Sequence, residues 1–480
     1  MMNKIRTRFA PSPTGYLHIG GLRTALYAFL LAKANNGEVV LRIEDTDRER
    51  YVADGVERLM SVVQWAGIEF DEGPNIGGDF GPYTQSERLD LYKKYALELV
   101  KNDKAYYCFC TKDDLEQERV GNEQAMYSGK CRHLSKEEAE TRVAKGESYV
   151  IRLKVPKGRQ VCFEDAVFGK ICFDTNTIDD QVLLKSDGFA TYHLAVVVDD
   201  HLMEVSHVVR GNEWIPSTGK HVLLYEAFGW EMPVHVHLPV ITGDDGKKLS
   251  KRKGDVFVED FRKAGYLHET IMNFIALLGW NPGGNVEIMS LSELIGAFSI
   301  DRIKKANAYF DREKMNWMNK QYLMKLSADE VAERLDDIEV DDKVKSLDNE
   351  YLRKILEVEK SRMLVLADVN NIGDHYFVDP KLDVEKLVFK KSTRELCQEA
   401  LQNVIIKLEA EGDWSSAEHL FEVLKEVVEA NVRLSNGDVF WPVRYALSGV
   451  DQSPSPNELL WVLGKENSLR RLKAAEQILL

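Results

Sequence analysis

The segment from Ile5 to Leu30 constrains the fold of this chain most. Ile5 to Phe9 is short and alternates as a strand does. A turn rich in Pro, Ser, Thr and Gly follows from Pro11 to Gly20. Leu22, Ala25, Leu26, Phe29 and Leu30 then recur at helical spacing, so a helix begins near Gly20. A strand, a glycine-containing turn and a helix N-terminus make an anion site, because free backbone N–H groups and the helix dipole face the ligand. Gly15, Gly20 and Gly21 leave room for a nucleotide to lie against the backbone. His18 either caps this helix or donates a hydrogen bond to a phosphate oxygen.

Far along the chain, Lys247-Lys248-Leu249-Ser250-Lys251-Arg252-Lys253 places five basic residues in seven positions, after the turn-forming stretch Thr242 to Gly246. Such runs are commonly solvated loops. A cationic loop also suits a reaction in which negative charge grows on a leaving pyrophosphate.

Pro11 to Gly20 and Lys247 to Lys253 are similar to the two ATP-handling signatures of class I aminoacyl-tRNA synthetases, the HIGH and KMSKS motifs. Arg8-Phe-Ala-Pro-Ser-Pro-Thr-Gly15 and Arg42-Ile-Glu-Asp-Thr-Asp47 narrow the match. From end to end the chain resembles the bacterial glutamyl-tRNA synthetases. The resemblance implies a two-step ligation of L-glutamate to tRNA(Glu), through glutamyl-adenylate and then the 3'-terminal adenosine, with activation waiting for bound tRNA. ATP with Mg2+ is the implied cofactor pair. His18, Lys248 and Lys251 are the implied catalytic residues, with His18, Gly20, Gly21 and Lys251 at ATP. Glutamate binding is implied for Arg8, Ser12, Glu44, Tyr192 and Arg210.

Two carboxylates and one ammonium require cations and an anion in the pocket. Glu44 supplies the anion. Arg210 is expected to take the side-chain carboxylate as a bidentate pair, and the residues alone leave Arg8 as the alternative. Part of the family has Asn where this chain has Val196, so a polar contact there is missing or made by another group. Trp214 either flanks ATP or packs in the core.

At 480 residues the chain exceeds a single core, and 44% hydrophobic with 29% charged residues is ordinary for a globular protein. The expected fold class is α/β, a Rossmann-like parallel-sheet catalytic domain with an acceptor-binding insertion. A stem-contact region and an all-α anticodon-binding region follow. Residues 1–107 are read as the first half of the catalytic domain and 108–194 as the acceptor-end insertion, from its antiparallel strand patterns. Residues 195–243 are the second half, 244–322 the stem-contact region with the basic loop, and 323–480 the helical anticodon region. In the last, Leu352, Ile355, Leu356, Leu420, Val423, Leu424 and Val427 recur at helical spacing. The related glutaminyl enzymes use β-barrels for the anticodon, and the helical pattern argues against that assignment.

A net charge of −15 speaks against nucleic acid in general, but a basic face can sit on an acidic body. Basic clusters at Lys247 to Lys253, Arg302 to Lys305, Lys390-Lys391 and Arg470 to Lys473 are consistent with phosphate contacts. No apolar run is long enough to span a bilayer, no signal peptide is read at the N-terminus, and the expectation is a cytoplasmic monomer. The six cysteines are expected as free or metal-bound thiols.

Cys108, Cys110, Cys131 and His133 form a candidate zinc site, since three thiolates and an imidazole suit a tetrahedral structural zinc. Some members of the family carry zinc on a matching set. Cys162, Cys172 and Cys397 fall outside it and read as buried apolar residues. Arg362, at a helix end after Tyr351 to Lys360, matches the arginine that reads the third anticodon base in discriminating members. It is otherwise a solvated helix-surface arginine. Rival readings are a nucleotidyltransferase without aminoacyl transfer, a shortened relative that glutamylates a tRNA base, and a non-catalytic RNA binder. The helical C-terminal third disfavours the first two, and intact His18, Glu44, Arg210, Lys248 and Lys251 disfavour the third.

Overall fold

The structure is a computed structural model that describes residues 4–47, 52–119, 126–243, 245–249 and 256–480. It divides into two compact units, residues 1–261 with 268–315, and residues 262–267 with 316–480. Nine strands of the first unit carry the argument: β1 (Arg6–Phe9), β2 (Glu38–Leu41), β3 (Ala105–Cys108), β4 (Val150–Leu153), β5 (Gln160–Asp165), β6 (Gly169–Asp174), β7 (Val182–Leu184), β8 (His207–Gly211) and β9 (Val234–Leu238).

Six of them form one sheet in the order β2-β1-β8-β9-β5-β6. The four strands β2, β1, β8 and β9 run parallel. A parallel sheet must be covered on both faces, and α1 (Ile19–Ala34) supplies part of that cover with Leu22, Leu26 and Leu30, all fully buried. Each such side chain contributes about 1.5–3 kcal/mol of burial. From β1 the chain crosses through α1 to β2 on one side. It later returns to β8 on the other side of β1 and crosses through helix Ile215–Phe228 to β9. The strand order therefore reverses between β1 and β8, and open parallel sheets bind ligands at that point, beyond the carboxyl ends of the strands.

Residues 160–174 lie inside the segment read as an insertion, yet they extend the parallel sheet. Asp165 pairs with His235 of β9, and β6 returns antiparallel along β5. The remaining strands of that segment, β4 and β7, form a separate antiparallel sheet with β3, which ends where the segment begins.

In the second unit, helices Arg394–Ala410, Ala417–Ala430, Asn436–Ser448 and Pro456–Leu479 bury one face each. Ile355, Leu356, Leu420, Val423, Leu424 and Val427 are buried at the expected spacing. Among the described residues no strand follows Tyr309. The basic residues near the C-terminus have partners within the unit. Arg471 is buried and donates to the carbonyls of His375 and Leu447, both at 2.8 Å, and Arg470 pairs with Asp379. Lys473 pairs with Glu409 at 2.6 Å.

Cysteine usage departs from six reduced thiols. Cys397 is fully buried as expected, but Cys162 and Cys172 are exposed and bonded to each other. They stand directly opposite on β5 and β6 with Cα atoms 4.1 Å apart. The antiparallel hairpin brings such pairs close, and the period-2 pattern puts both on the outward face. Protein unfolded without reductant should expose four maleimide-reactive thiols and, after reduction, six. Six in both conditions would remove the disulfide.

Candidate active site

The turn before α1 holds the first predicted motif. His18 is the N-cap of α1, and its Nδ1 accepts from the Gly20 N–H at 3.0 Å. An imidazole that accepts at Nδ1 carries its proton at Nε2 when neutral. Capping and donation to a phosphate are therefore compatible in one side chain. A Cβ at Gly20 would stand 3.3 Å from that Nδ1, and one at Gly21 would meet Leu17 at 2.9 Å, so both glycines also serve the turn's own packing.

Backbone pairing brings the first motif against the chain just beyond the second. Ile19 N–H donates to Val256 at 2.8 Å, Val258 N–H donates to Leu17 at 3.0 Å, and the Tyr16 and Phe257 rings lie 5.4 Å apart. Lys248 pairs with Thr242 in an antiparallel bridge, with its ammonium 3.7 Å from Glu213. Lys251 lies outside the described residues, as do Ser250, Arg252 and Lys253.

One cavity of about 1680 Å³ is lined by Arg8, Ser12, His18, Gly20, Gly21, Glu44, Tyr192, Arg210, Trp214 and Lys248. Every described residue predicted for ATP or glutamate is thus on one cleft. Trp214 is 36% exposed at its mouth and lies against Tyr192, ring centroids 4.5 Å apart, which removes the core-packing reading. Val196 is buried in an apolar core cluster with Leu194 and Val197.

The two arginines differ in their partners. Arg8 donates to Asp200 at 3.1 Å and to the Val209 carbonyl at 3.2 Å. Arg42, fully buried, donates to Asp200 at 2.8 Å and to Glu44 at 3.0 Å. Asp199 accepts from Arg88 at 2.7 Å, Tyr92 at 2.7 Å and Gln85 at 3.0 Å. Three arginines thus face three carboxylates. Burial pushes Asp200 up, but Arg8 and Arg42 outweigh it and hold the carboxyl below its usual range. Burial lifts Glu44 above its usual range even with Arg42 and Arg8 beside it.

Arg210 has no such carboxylate among the described residues. Its Nε donates to His237 Nε2 at 3.1 Å, Nη1 to the Tyr192 hydroxyl and to His221 Nδ1, both at 3.3 Å, and Nη2 to Thr218 Oγ1 at 2.8 Å. Four of its N–H directions meet neutral acceptors. One Nη2 N–H remains, so the bidentate pairing expected from sequence becomes a single N–H bond. The Tyr192 oxygen accepts from Arg210, so its own proton is directed elsewhere and stands ready as a second donor.

The candidate metal residues converge in part. The sulfurs of Cys108, Cys110 and Cys131 lie within 4.8 Å of one another, but His133 is exposed and outside the group. The tight turn around Arg132, closed by its N–H to Gly129 at 2.8 Å, carries His133 away. The Tyr127 hydroxyl occupies its place, 3.4 Å from the Cys108 sulfur and 3.5 Å from that of Cys110. Hydrogen bonding from Cys131 pulls the Cys108 thiol down to about 4. Sequence reading missed Tyr127, and its position four residues before Cys131 was the available signal. Arg362 ends the turn after helix Asn349–Glu359, half exposed, donating to the Val358 carbonyl at 3.3 Å.

Comparison with known proteins gives one picture. Residues 4–317 match the family described as tRNA synthetases class I (E and Q), catalytic domain, and residues 320–476 match the anticodon binding domain. A glutamate–tRNA ligase of Finegoldia magna is 44% identical, covering 99% of each chain. One of Clostridium botulinum (strain Okra) is 45% identical over 98% of each. The crystal structure of a glutamate tRNA ligase from Elizabethkingia meningosepticum in complex with its amino acid superimposes with a TM-score of 0.87 at 37% identity, covering both chains in full.

Asp199→Ala strands the buried Arg88 and should cost about 3–5 kcal/mol, as removal of one partner of a buried ion pair does. Urea unfolding followed by fluorescence checks this, and an unshifted transition would show that the network carries no stability.

Proposed function

The chain belongs to the class I tRNA synthetases of the E and Q type, and from that premise we propose that its cleft activates glutamate and hands it to tRNA(Glu). The observation that carries the reading is Arg210: a buried guanidinium with no carboxylate partner among the described residues, opening on the same cavity as the helix N-terminus at His18. One end of that cavity suits phosphates and the other a carboxylate.

The α-carboxylate of glutamate attacks the α-phosphate of ATP, and no covalent enzyme intermediate is needed. Position and charge do the work. His18 donates through Nε2 to a phosphate oxygen, and the α1 N-terminus with Gly20 and Gly21 receives the triphosphate. Lys248 and Lys251 stabilise charge growing on the leaving pyrophosphate. Glu44 holds the ammonium and Ser12 orients the amino acid. Arg8 is already paired with Asp200, so Arg210 and Tyr192 take the side-chain carboxylate. A hydroxyl of the terminal adenosine then attacks the activated carbonyl and releases AMP. Mg2+ accompanying ATP supplies a hard cation that offsets phosphate charge.

In this reading residues 108–194 contribute the acceptor-end insertion, 244–322 the stem contact and 323–480 the anticodon region. Arg362 reads the third anticodon base, so tRNA(Gln) is mostly spared. The enzyme acts as a cytoplasmic monomer. Among the described residues no helix is long and apolar enough to cross a membrane.

Charging of purified tRNA(Glu) with glutamate and ATP tests the function. We expect charging of tRNA(Glu) well above tRNA(Gln), and no glutamate-dependent pyrophosphate exchange until tRNA is added. Lys251→Ala should slow adenylate formation and leave glutamate binding nearly intact. A variant that changes only the glutamate KM would exclude the loop from the chemistry.

Zinc fits the thiol cluster. Three thiolates with Tyr127 oxygen make a four-donor set, and zinc there would tie β3 to the turn at Cys131. Protein purified without chelator should contain one zinc per chain, lost in Cys110→Ala. A metal-free wild type with three titratable thiols would refute it.

A further inference from the structure

We propose that His221 and His237 are positioning residues that hold Arg210 through neutral acceptors, so that the whole of its charge is left for the side-chain carboxylate. The inference rests on the reading that the cleft takes glutamate.

The geometry fixes each proton. Arg210 on β8 and His237 on β9 are register partners in the parallel ladder, so their side chains leave the same face. Asp165, on the next strand, accepts from His237 Nδ1 at 2.6 Å. The carboxylate also takes the backbone N–H groups of Val167 at 3.0 Å and Phe168 at 2.8 Å, so it stays an acceptor. His237 therefore carries its proton at Nδ1 and turns the Nε2 lone pair to Arg210. On the other side, Thr218 and His221 lie three residues apart on one helix face. A guanidinium can only donate, so His221 accepts at Nδ1. Its proton sits at Nε2 and points to His193 Nδ1, 3.0 Å away. Protonating His221 or His237 would turn an N–H against an N–H of Arg210. Burial, with Arg210 beside them, holds both imidazoles below their ordinary range, and His193 is held down to about 4.

Asp165 is thus kept one imidazole away from Arg210. A carboxylate in direct contact would satisfy the same N–H groups equally well, but it would neutralise the charge that distinguishes glutamate from glutamine. Uncharged acceptors satisfy the hydrogen bonds and leave the charge.

Two kinds of variant separate charge from support. His221→Glu keeps an acceptor on Arg210 and adds a negative charge. Glutamate KM should rise about tenfold to a hundredfold, the range for one hydrogen bond to a charged group. ATP KM should stay within about twofold of wild type on that same scale, and the preference for glutamate over glutamine in kcat/KM should fall. His237→Leu should also raise glutamate KM, and His237→Gln, whose amide oxygen restores the acceptor, should recover most of it. Melting temperatures are read for each variant. If His237→Leu does not fold, His221→Glu against His237→Gln decides alone. Unchanged glutamate KM in His221→Glu overturns the proposal. So does a parallel rise in ATP KM, which would mark a merely structural role. Wild type that charges no glutamate refutes the functional reading itself, and wild type that does, with unaltered variants, refutes only the cradle.

Discussion

Taking a guanidinium out of water costs several kcal/mol unless its N–H groups find acceptors. Arg210 meets that demand on an almost fully buried side chain by drawing acceptors from three elements, β9, helix Ile215–Phe228 and the first turn of helix Tyr192–Leu202. None of those acceptors is a carboxylate. Arg8, one strand away, and Arg42, two strands away, show the other solution, with Asp200 and Glu44 as counter-ions. The cleft thus has a balanced end and an end with positive charge to spare, and the difference sorts the substrate's groups.

The sheet order makes this arrangement possible. Reversal between β1 and β8 opens a crevice at their carboxyl ends, with Arg8 on one wall and Arg210 on the other. The turn that leaves β1 presents the N-terminus of α1 to the same crevice. The pairing of Leu17 and Ile19 with Val256 and Val258 then anchors the flank of the basic loop beside it. Phosphate chemistry and carboxylate recognition are neighbours because each lies at the end of a strand in one ladder.

The turn Pro11–Gly20 was legible because it is local: its residues make their own cap and helix start. Arg8, Glu44 and Arg210 were recognisable as charged residues at strand ends, but their partners were not. Asp200, His221 and His237 come from distant elements, and charge compensation depends on which of them fold together. The alternation Val234-His235-Val236-His237 in a buried parallel strand was the one signal that polar groups line an interior face. Residues 160–174 pair antiparallel as their pattern reads, but their place at the edge of the parallel sheet rests on the long-range pairing of Asp165 with His235, which no local pattern carries. His133 misled because spacing says nothing of the turn at Arg132, and the bonded pair Cys162–Cys172 depends on cross-strand register, which a sequence does not print.

The most direct measurement is a crystal structure with a non-hydrolysable glutamyl-adenylate analogue. The side-chain carboxylate should lie within hydrogen-bonding distance of Arg210 Nη2 and the Tyr192 hydroxyl, with the ammonium at Glu44 and Arg8 still on Asp200. A carboxylate bound to Arg8 with Arg210 facing solvent, or an Arg210 already paired with a protein carboxylate, would contradict the account.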